Sequence, residues 1–198
     1  MGRPRKFDVE KSIQIAADLF WRKGYDGASL ADLTQAMGVA PPSLYAAFGG
    51  KEALFLRVVA DYSANWSRLA QEALERPHIA DALEALLGGF ADFFTDGAHA
   101  PGCLILNNAL PIDAAHPFRA TFAEQREAFK AALQSRLERA AQAESFRDGF
   151  DAAAAARMLV ALLWGFAVEA QSGVSRDVLR AAATIAIASL LSAARTPA

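Results

Sequence analysis

Apolar residues recur every three to four positions along most of the chain, which is the spacing of helices. A first helix is predicted from about Val9 to Lys23, with Asp8 suited to cap its start and Gly24 to end it. Four of its apolar residues share one face, at i, i+3, i+4 and i+7: Ile13, Ala16, Ala17 and Phe20. No segment alternates apolar and polar residues as a half-buried strand does, so the pattern predicts an all-α protein.

Two short helices with a tight turn between them are predicted next. Ser29 precedes Asp32 by three residues, which resembles a capping box and marks the start of the first short helix. Gly38 suits the turn, and the Pro41-Pro42 pair suits the first turn of the second short helix, where an N–H is not needed. Together with the longer first helix, this arrangement is typical of a helix-turn-helix unit.

The remaining chain is predicted to form further helices. A long amphipathic helix follows the Gly49-Gly50 break and ends before Pro77. The others are expected near 79–95, 103–110, 117–143, 151–171 and 175–194, with loops at 97–102, 111–117 and 145–150.

Composition and charge narrow the class of protein. The chain has 198 residues, 54% of them hydrophobic, which is enough to bury a core in one domain or two small ones. Its net charge is -2, yet the first 60 residues carry eight Lys or Arg against six Asp or Glu. This asymmetry indicates a small basic module followed by a larger acidic part of the chain. The single cysteine excludes an internal disulfide framework. The longest uncharged apolar run, residues 158–168, is shorter than the roughly 18 residues of a membrane span, so we expect a cytoplasmic protein.

Basic and polar side chains around the helix-turn-helix suggest DNA binding. Lys51 starts a helix, where the helix dipole disfavours a cation unless an anion such as a phosphate lies nearby. Tyr45 follows the core position Leu44 and is expected to face outward, where its hydroxyl can meet a phosphate. A short basic arm contains Arg3, Arg5 and Lys6. Each feature alone has an ordinary explanation as a solvated surface residue, but their convergence on one helix-turn-helix favours DNA binding.

Two other classes of protein compete with this interpretation. An enzyme is disfavoured because the chain has no HExxH, GxSxG or GxxxxGK[ST] motif, and its three histidines are widely separated. One cysteine cannot build a structural zinc site of cysteines, and no metal or cofactor is expected. The other class is a ligand-binding or protein-interaction bundle whose helix-turn-helix no longer binds DNA.

The stretch GRPRKFDVEKSIQIAADLFWRKGYDGASLADLTQAMGVAPPSLYAAFGGKEALF resembles the DNA-binding domain of TetR-family transcriptional regulators, with SLYAAFGGKEALF as its most specific part. The resemblance covers about 60 residues, and the rest matches only in helical plan. It implies a DNA-binding domain at 1–50 and a ligand-binding and dimerisation domain at 51–198. It also implies a homodimeric repressor that releases a palindromic operator when a small molecule binds.

The resemblance assigns roles to residues of the first domain. Ser29, Tyr45 and Lys51 would contact phosphates, and the run Ala40, Pro41, Pro42 and Ser43 would face the major groove. This run departs from the usual pattern because it has no Arg, Lys, Asn or Gln for bidentate reading of a base. We therefore expect modest specificity per base, with contributions from thymine methyls, the arm and DNA shape, and binding that depends strongly on salt.

The second domain contains many aromatic residues, most of which are expected to be ordinary core. The resemblance adds an effector cavity suited to an apolar ligand. The candidate sensing residues are Cys103, Tyr62, Trp66, Phe94, Asn107, Phe122 and Trp164.

Cys103 has two interpretations. The predicted helix start lowers the pKa of a thiol, and the Gly102-Cys103 pair is similar to that of a subgroup of these regulators that senses electrophiles or oxidants. A lone cysteine is nevertheless more often a small buried hydrophobe, and no Lys or Arg lies close in sequence to activate this one.

The last two helices are rich in alanine, with Leu, Val and Ile on broad faces. Small residues allow helices to approach closely, so two such helices from each subunit can pack as a four-helix bundle. The resemblance implies that this is the dimer interface. The alternative is that these helices only close the core of a monomer.

Overall fold

The computed structural model describes residues 8–97, 99–109, 118–144 and 146–194, and these residues form helices and no strand. The helices are α1 Val9–Gly27, α2 Leu30–Met37, α3 Pro41–Phe48, α4 Lys51–Leu74, α5 Ile79–Thr95, α6 Leu104–Ala109, α7 Phe118–Ala143, α8 Ala152–Gln171 and α9 Arg176–Ala194. The all-α prediction is confirmed, and the predicted helix bounds agree within a few residues. The predicted loop at 111–117 lies outside the described residues.

The helices belong to two compact units, the first ending at Ala64 and the second beginning at Asn65, so that α4 contributes to both. This division falls 14 residues after the domain boundary expected from the sequence, because the first half of α4 supplies core residues to the first unit. Leu54 and Phe55 of α4 are wholly buried there.

The first unit is built around α1 and a small aromatic core. Asp8 caps α1 by accepting a hydrogen bond from the N–H of Lys11 at 3.1 Å. Gly24 interrupts the helix with a φ of 72°, and a short helical segment continues to Gly27. The predicted stop at Gly24 is therefore a kink inside a longer element. Phe20 packs edge-on against Phe55 with ring centroids 5.0 Å apart.

The second unit is centred on α5, which packs against both α8 and α9, while α7 packs against α8. Leu83, Leu86 and Leu87 of α5 are wholly buried. They form one core with apolar residues of α7, α8 and α9, including Leu133 and Leu159. Burying one leucine side chain stabilises a fold by about 1.5–3 kcal/mol. The three buried leucines therefore explain why α5 lies at the centre of the second unit.

The turn between α4 and α5 is held by two charged side chains, Arg136 of α7 and Glu144 directly after it. Arg136 is only 5% exposed and donates hydrogen bonds to the backbone carbonyls of Leu74, Arg76 and Pro77 at 3.1, 3.0 and 2.9 Å. These carbonyls lie at or just after the end of α4, where a helix leaves its last acceptors without partners. Glu144 accepts from the N–H of Ile79 at 2.8 Å, at the start of α5.

Gly102 precedes α6 at a position that other residues cannot occupy without strain. Its φ is 93°, in the left-handed region. A Cβ atom at Gly102 would lie 2.9 Å from the carbonyl oxygen of Ala167 in α8. The glycine thus fixes the chain just before Cys103 close to the backbone of α8.

Two of the described helices, α8 and α9, are long and apolar enough to cross a membrane by length and composition alone, each with a mean hydropathy of 1.5. Core helices of soluble proteins meet the same criterion. The apolar windows are 44% buried in α8 and 28% buried in α9. Both helices pack against α5, which explains part of their apolar character.

Candidate nucleic-acid interface and effector-sensing region

The turn between α2 and α3 is shaped by local interactions. Ser29 accepts from the N–H of Asp32 at 3.0 Å, and the Asp32 carboxylate accepts in return from the N–H of Ser29 at 3.0 Å. The capping box predicted from the sequence is confirmed. Gly38 ends α2 in the left-handed conformation, with φ 67° and ψ 37°, and thereby allows the sharp turn into α3.

The hydroxyl of Ser29 is already engaged within this cap. It donates to the Asp32 carboxylate at 2.8 Å while accepting from the Asp32 N–H. Lys23 adds an ion pair to the same carboxylate, with 3.0 Å between Lys23 Nζ and Asp32 Oδ1. These interactions, led by the Ser29 hydrogen bond, lower the pKa of Asp32 to about 2. The α2 N-terminus therefore presents a carboxylate that stays charged at neutral pH.

Helix α3 presents a mostly apolar exposed surface. Leu44 is wholly buried, whereas Ala40, Pro41, Pro42 and Ser43 are all exposed. Neither proline carries an N–H, and the N–H of Ser43 donates to the carbonyl of Ala40 at 2.9 Å. The start of α3 thus offers methyl and methylene groups and the Ser43 hydroxyl rather than a row of amide donors. Tyr45 is 53% exposed, as expected from the sequence.

Lys51 begins α4 and lies over an aromatic ring that the sequence analysis did not single out. Its Nζ is 4.2 Å from the centroid of the Tyr25 ring, which is a cation–π distance. Tyr25 in turn packs against Phe55 at 4.9 Å. Burial, with smaller contributions from Glu52 and Asp26, raises the pKa of the Tyr25 hydroxyl. The sequence signal that could have indicated the Lys51–Tyr25 contact is an aromatic residue directly after Gly24.

The basic arm of Arg3, Arg5 and Lys6 lies outside the described residues. Its predicted role at the DNA rests on the sequence.

The candidate sensing residues lie in different local environments. Tyr62 belongs to the first unit, where it packs edge-on against Trp21 at 5.1 Å. In the second unit, Phe122 lies 6.5 Å from Phe118, and the guanidinium of Arg126 lies 5.0 Å above the ring of Trp164.

Trp66 and Phe94 share a neighbour in the second unit. Both pack against Phe90, with ring centroids 6.4 and 5.5 Å away. Phe129 of α7 lies 5.5 Å from Trp66 and 6.0 Å from Phe90. With Phe93, which lies 6.4 Å from Phe90, these residues form what we call the aromatic cluster: Trp66, Phe90, Phe93, Phe94 and Phe129.

Cys103 is half-buried directly before α6, packs against the core of the second unit, and accepts a backbone hydrogen bond from Asn107 at 3.0 Å. Asn108, the next residue of α6, is buried and donates to the carbonyl of Leu104 at 2.8 Å. Asn108 therefore bonds within its own helix.

The outer surfaces of α8 and α9 carry matching uncharged stripes. On α8 the exposed stripe is Met158, Ala161, Gly165 and Val168, and on α9 it is Val178, Ala181, Ile185 and Ala188. Both follow the spacing i, i+3, i+7 and i+10, which places the residues on one face of each helix. Ile185 is 68% exposed, which is high for a large apolar side chain. We call these two stripes the α8–α9 face.

Comparisons with known proteins give the family. The family profile "Bacterial regulatory proteins, tetR family" matches residues 13–58, and the profile "Tetracyclin repressor-like, C-terminal domain" matches residues 79–186. The HTH-type transcriptional repressor ComR of Escherichia coli K12 is 31% identical over 185 residues, covering 90% of this chain and 86% of ComR.

Solved structures agree with the sequence relatives. A cysteine-substituted variant of the TetR-family regulator CifR, in complex with 26-bp double-strand operator DNA, has a TM-score of 0.84 at 34% identity, covering 94% of this chain and 98% of CifR. A TetR regulator from Rhodococcus sp. RHA1 has a TM-score of 0.65 at 35% identity, covering 94% of this chain and all of that one.

The family and its relatives are regulators and not enzymes, so the prediction against an enzyme is confirmed. The matches span both halves of the chain, and they agree with the capped turn and exposed α3 described above. The chain therefore belongs to the TetR family of DNA-binding transcriptional regulators.

Proposed function

We propose that the chain is a cytoplasmic, homodimeric repressor that binds a palindromic operator and releases it when a small-molecule or thiol-reactive effector binds. The observation that carries the proposal is the exposed start of α3, which lies between the capped turn of α2 and the Lys51 ammonium. The CifR complex, whose partner is double-strand operator DNA, supports the same use of this unit.

In this proposal the start of α3 enters the major groove. The exposed Ala40, Pro41 and Pro42 would pack against thymine methyl groups, and Ser43 would supply the polar contact. Tyr45 and Lys51 would contact phosphates, and the arm of Arg3, Arg5 and Lys6 would follow the backbone or the minor groove. Ser29 would reach a phosphate only by giving up its hydrogen bond to Asp32.

The substitutions Lys51→Ala and Tyr45→Phe test these phosphate contacts. Each substitution is expected to weaken binding about equally on specific and unrelated DNA, because phosphates carry no sequence information. Arg68→Ala is the matched control, since it removes an exposed cation from the same helix in the second unit, where Arg68 pairs with Glu72. Unchanged affinity in both variants would favour the rival class, a bundle that no longer binds DNA.

The α8–α9 face is the proposed dimer interface. Uncharged stripes of small and apolar residues on two neighbouring helices suit a four-helix bundle with the same face of a second subunit, as C2 dimers require. Sedimentation velocity at micromolar concentration is expected to give a dimer for the wild type and a monomer for Ile185→Glu. Leu56→Glu, at an exposed apolar position of the first unit, serves as the control and is expected to stay dimeric. A monomeric wild type would contradict the interface.

Induction requires an effector that binds one conformation of the dimer more tightly than the other. We propose that the favoured conformation no longer places the two α3 helices at the half-site spacing of roughly 34 Å, or a multiple of it. Candidate residues for this sensing are Cys103, Tyr62, Trp66, Phe94, Asn107, Phe122 and Trp164.

Anisotropy of labelled upstream DNA, before and after N-ethylmaleimide, tests the thiol route with Cys103→Ser as control. Release in the wild type alone would assign the sensing to Cys103. Retention of DNA by both proteins would make Cys103 structural and leave the non-covalent route, which the aromatic cluster supports.

A further inference from the structure

Trp66 carries a buried indole N–H. Its Nε1 atom is buried and has no hydrogen-bond partner among the described residues. The residue as a whole is only partly buried, and its ring lies within the aromatic cluster on α4, α5 and α7. Trp66 belongs to the second unit, as do all other members of this cluster.

An unpartnered buried N–H destabilises a folded protein, so such groups are rare and call for a physical reason. The indole nitrogen only donates, which means that its partner has to be an acceptor. Its ring neighbours Phe90 and Phe129 have no acceptor atom in their side chains. A bound molecule that brings an acceptor to this position would remove the cost.

The surroundings define the rest of that molecule. Phe90 and Phe94 are 5% and 4% exposed, while Trp66, Phe93 and Phe129 keep part of their surface accessible. Aromatic walls favour a flat, apolar ligand. The nearest cations along α7 are engaged elsewhere, Lys130 with Glu127 at 2.9 Å and Arg126 with Trp164, so the cluster is suited to a neutral acceptor.

We infer that the Trp66 indole N–H is the hydrogen-bond donor for the effector, and that the effector class is a neutral aromatic molecule with a carbonyl oxygen. This inference rests on the proposed function and specifies its non-covalent route. It requires no chemistry at Cys103.

Proton–nitrogen NMR of the full-length, nitrogen-15-labelled protein without DNA tests the inference directly. The chain has three tryptophans, so three indole cross-peaks are expected, and loss of one in Trp66→Phe assigns the relevant signal. Acetophenone and α-methylstyrene are the probes, because they share a shape and differ in C=O against C=CH2. We expect acetophenone to move the Trp66 indole proton downfield, saturably, and to bind about tenfold more tightly than α-methylstyrene.

Trp66→Phe should lower the affinity for acetophenone to that for α-methylstyrene, and Trp21→Phe, a substitution in the first unit, should leave it unchanged. Should Trp66→Phe not fold, NOEs to neighbouring rings assign the indole signals in the wild type, with Phe90 and Phe129 beside Trp66 and Tyr62 beside Trp21. Equal affinities for the two probes, no saturable binding of either, or a response of another indole alone would overturn the inference. Since no DNA is present, these outcomes are separate from any failure of operator binding.

Discussion

The two units of this regulator hold their key residues in place by different means. In the first unit the interactions that shape the turn between α2 and α3 join neighbours in sequence, as in the Ser29–Asp32 cap and the left-handed Gly38. In the second unit they join residues that are far apart, as in Arg136 with Leu74 and the two-pronged ion pair of Arg180 with Asp92.

This difference suits the two proposed tasks. A DNA-reading unit benefits from a turn whose shape is fixed locally, because the α3 surface then keeps its geometry. A sensing unit needs distant segments whose packing a ligand can change. Disrupting a long-range contact should therefore cost more stability than disrupting a local one, and the predictions below test that order.

The largest effect is expected for Arg136→Met. The substitution keeps much of the side-chain volume but leaves the carbonyls of Leu74, Arg76 and Pro77 without their donor, at a cost of about 3 kcal/mol. Urea denaturation measures the loss. Arg139→Met, which removes an exposed arginine on the same helix, should change stability by less than about 0.5 kcal/mol. Equal effects of the two variants would contradict the role given to Arg136.

Gly102→Ala should destabilise the protein by about 2 kcal/mol. It combines a left-handed backbone with a Cβ atom 2.9 Å from the carbonyl oxygen of Ala167. Gly97→Ala separates the two causes, because Gly97 also has a positive φ of 75° but nothing within 4 Å of the added Cβ. Thermal unfolding should show the larger shift for Gly102→Ala, and the reverse order would exclude the close approach to α8 as its cause.

Ser29→Ala should cost about 1 kcal/mol, the usual loss for removing an N-cap side chain. Asp151→Ala offers the matching test in the second unit, where Asp151 caps α8 by accepting from the N–H of Ala154 at 2.9 Å. Because both caps are local, similar losses are expected by urea denaturation. A loss at Ser29 as large as that of Arg136→Met would break the proposed contrast.

Tyr25→Leu should weaken DNA binding about two- to fivefold, which corresponds to about 0.5–1 kcal/mol for an exposed cation–π contact. Tyr25→Phe keeps the ring beneath Lys51 and should bind DNA as the wild type does. Anisotropy titrations at fixed salt measure both variants. If phenylalanine weakens binding as much as leucine, the hydroxyl and not the ring supports the interface.

Asp32 in the first unit and Glu127 in the second both have a pKa of about 2, but the largest contributions differ in range. The pKa of Asp32 is lowered most by its hydrogen bonds from Ser29, and that of Glu127 is lowered most by its hydrogen bond from Arg157 on another helix. Since the folded pKa values are lowered, the stabilisation is complete above the ordinary values of 3.8 and 4.5 and is lost as the pH falls through about 2. NMR titration should show Ser29→Ala raising the pKa of Asp32 alone and Arg157→Ala raising that of Glu127 alone.

The same contrast explains what the sequence predicted well. The cap at Ser29, the turn at Gly38 and the exposure of Tyr45 follow from residue types within a few positions, so local rules sufficed. Tyr25 and Lys51, which form the cation–π contact, are 26 positions apart in the sequence. Arg136 and the carbonyls that it binds at the end of α4 are about 60 positions apart. No periodicity or spacing reports such pairs. For the same reason the sequence singled out Tyr62 and Trp66 as candidate sensing residues but did not show that they belong to different units.

The salt dependence of binding to the protein's own upstream DNA reports on the proposed phosphate contacts of the first unit. Anisotropy titrations of the wild type and Lys51→Ala between 50 and 200 mM salt, the range over which phosphate contacts are known to weaken, would give the slope of log affinity against log salt. DNA binding through these contacts predicts a steep negative slope for the wild type, and a slope that is shallower by about one unit for each Lys51 that the variant lacks. A slope near zero, or identical slopes for the two proteins, would contradict it.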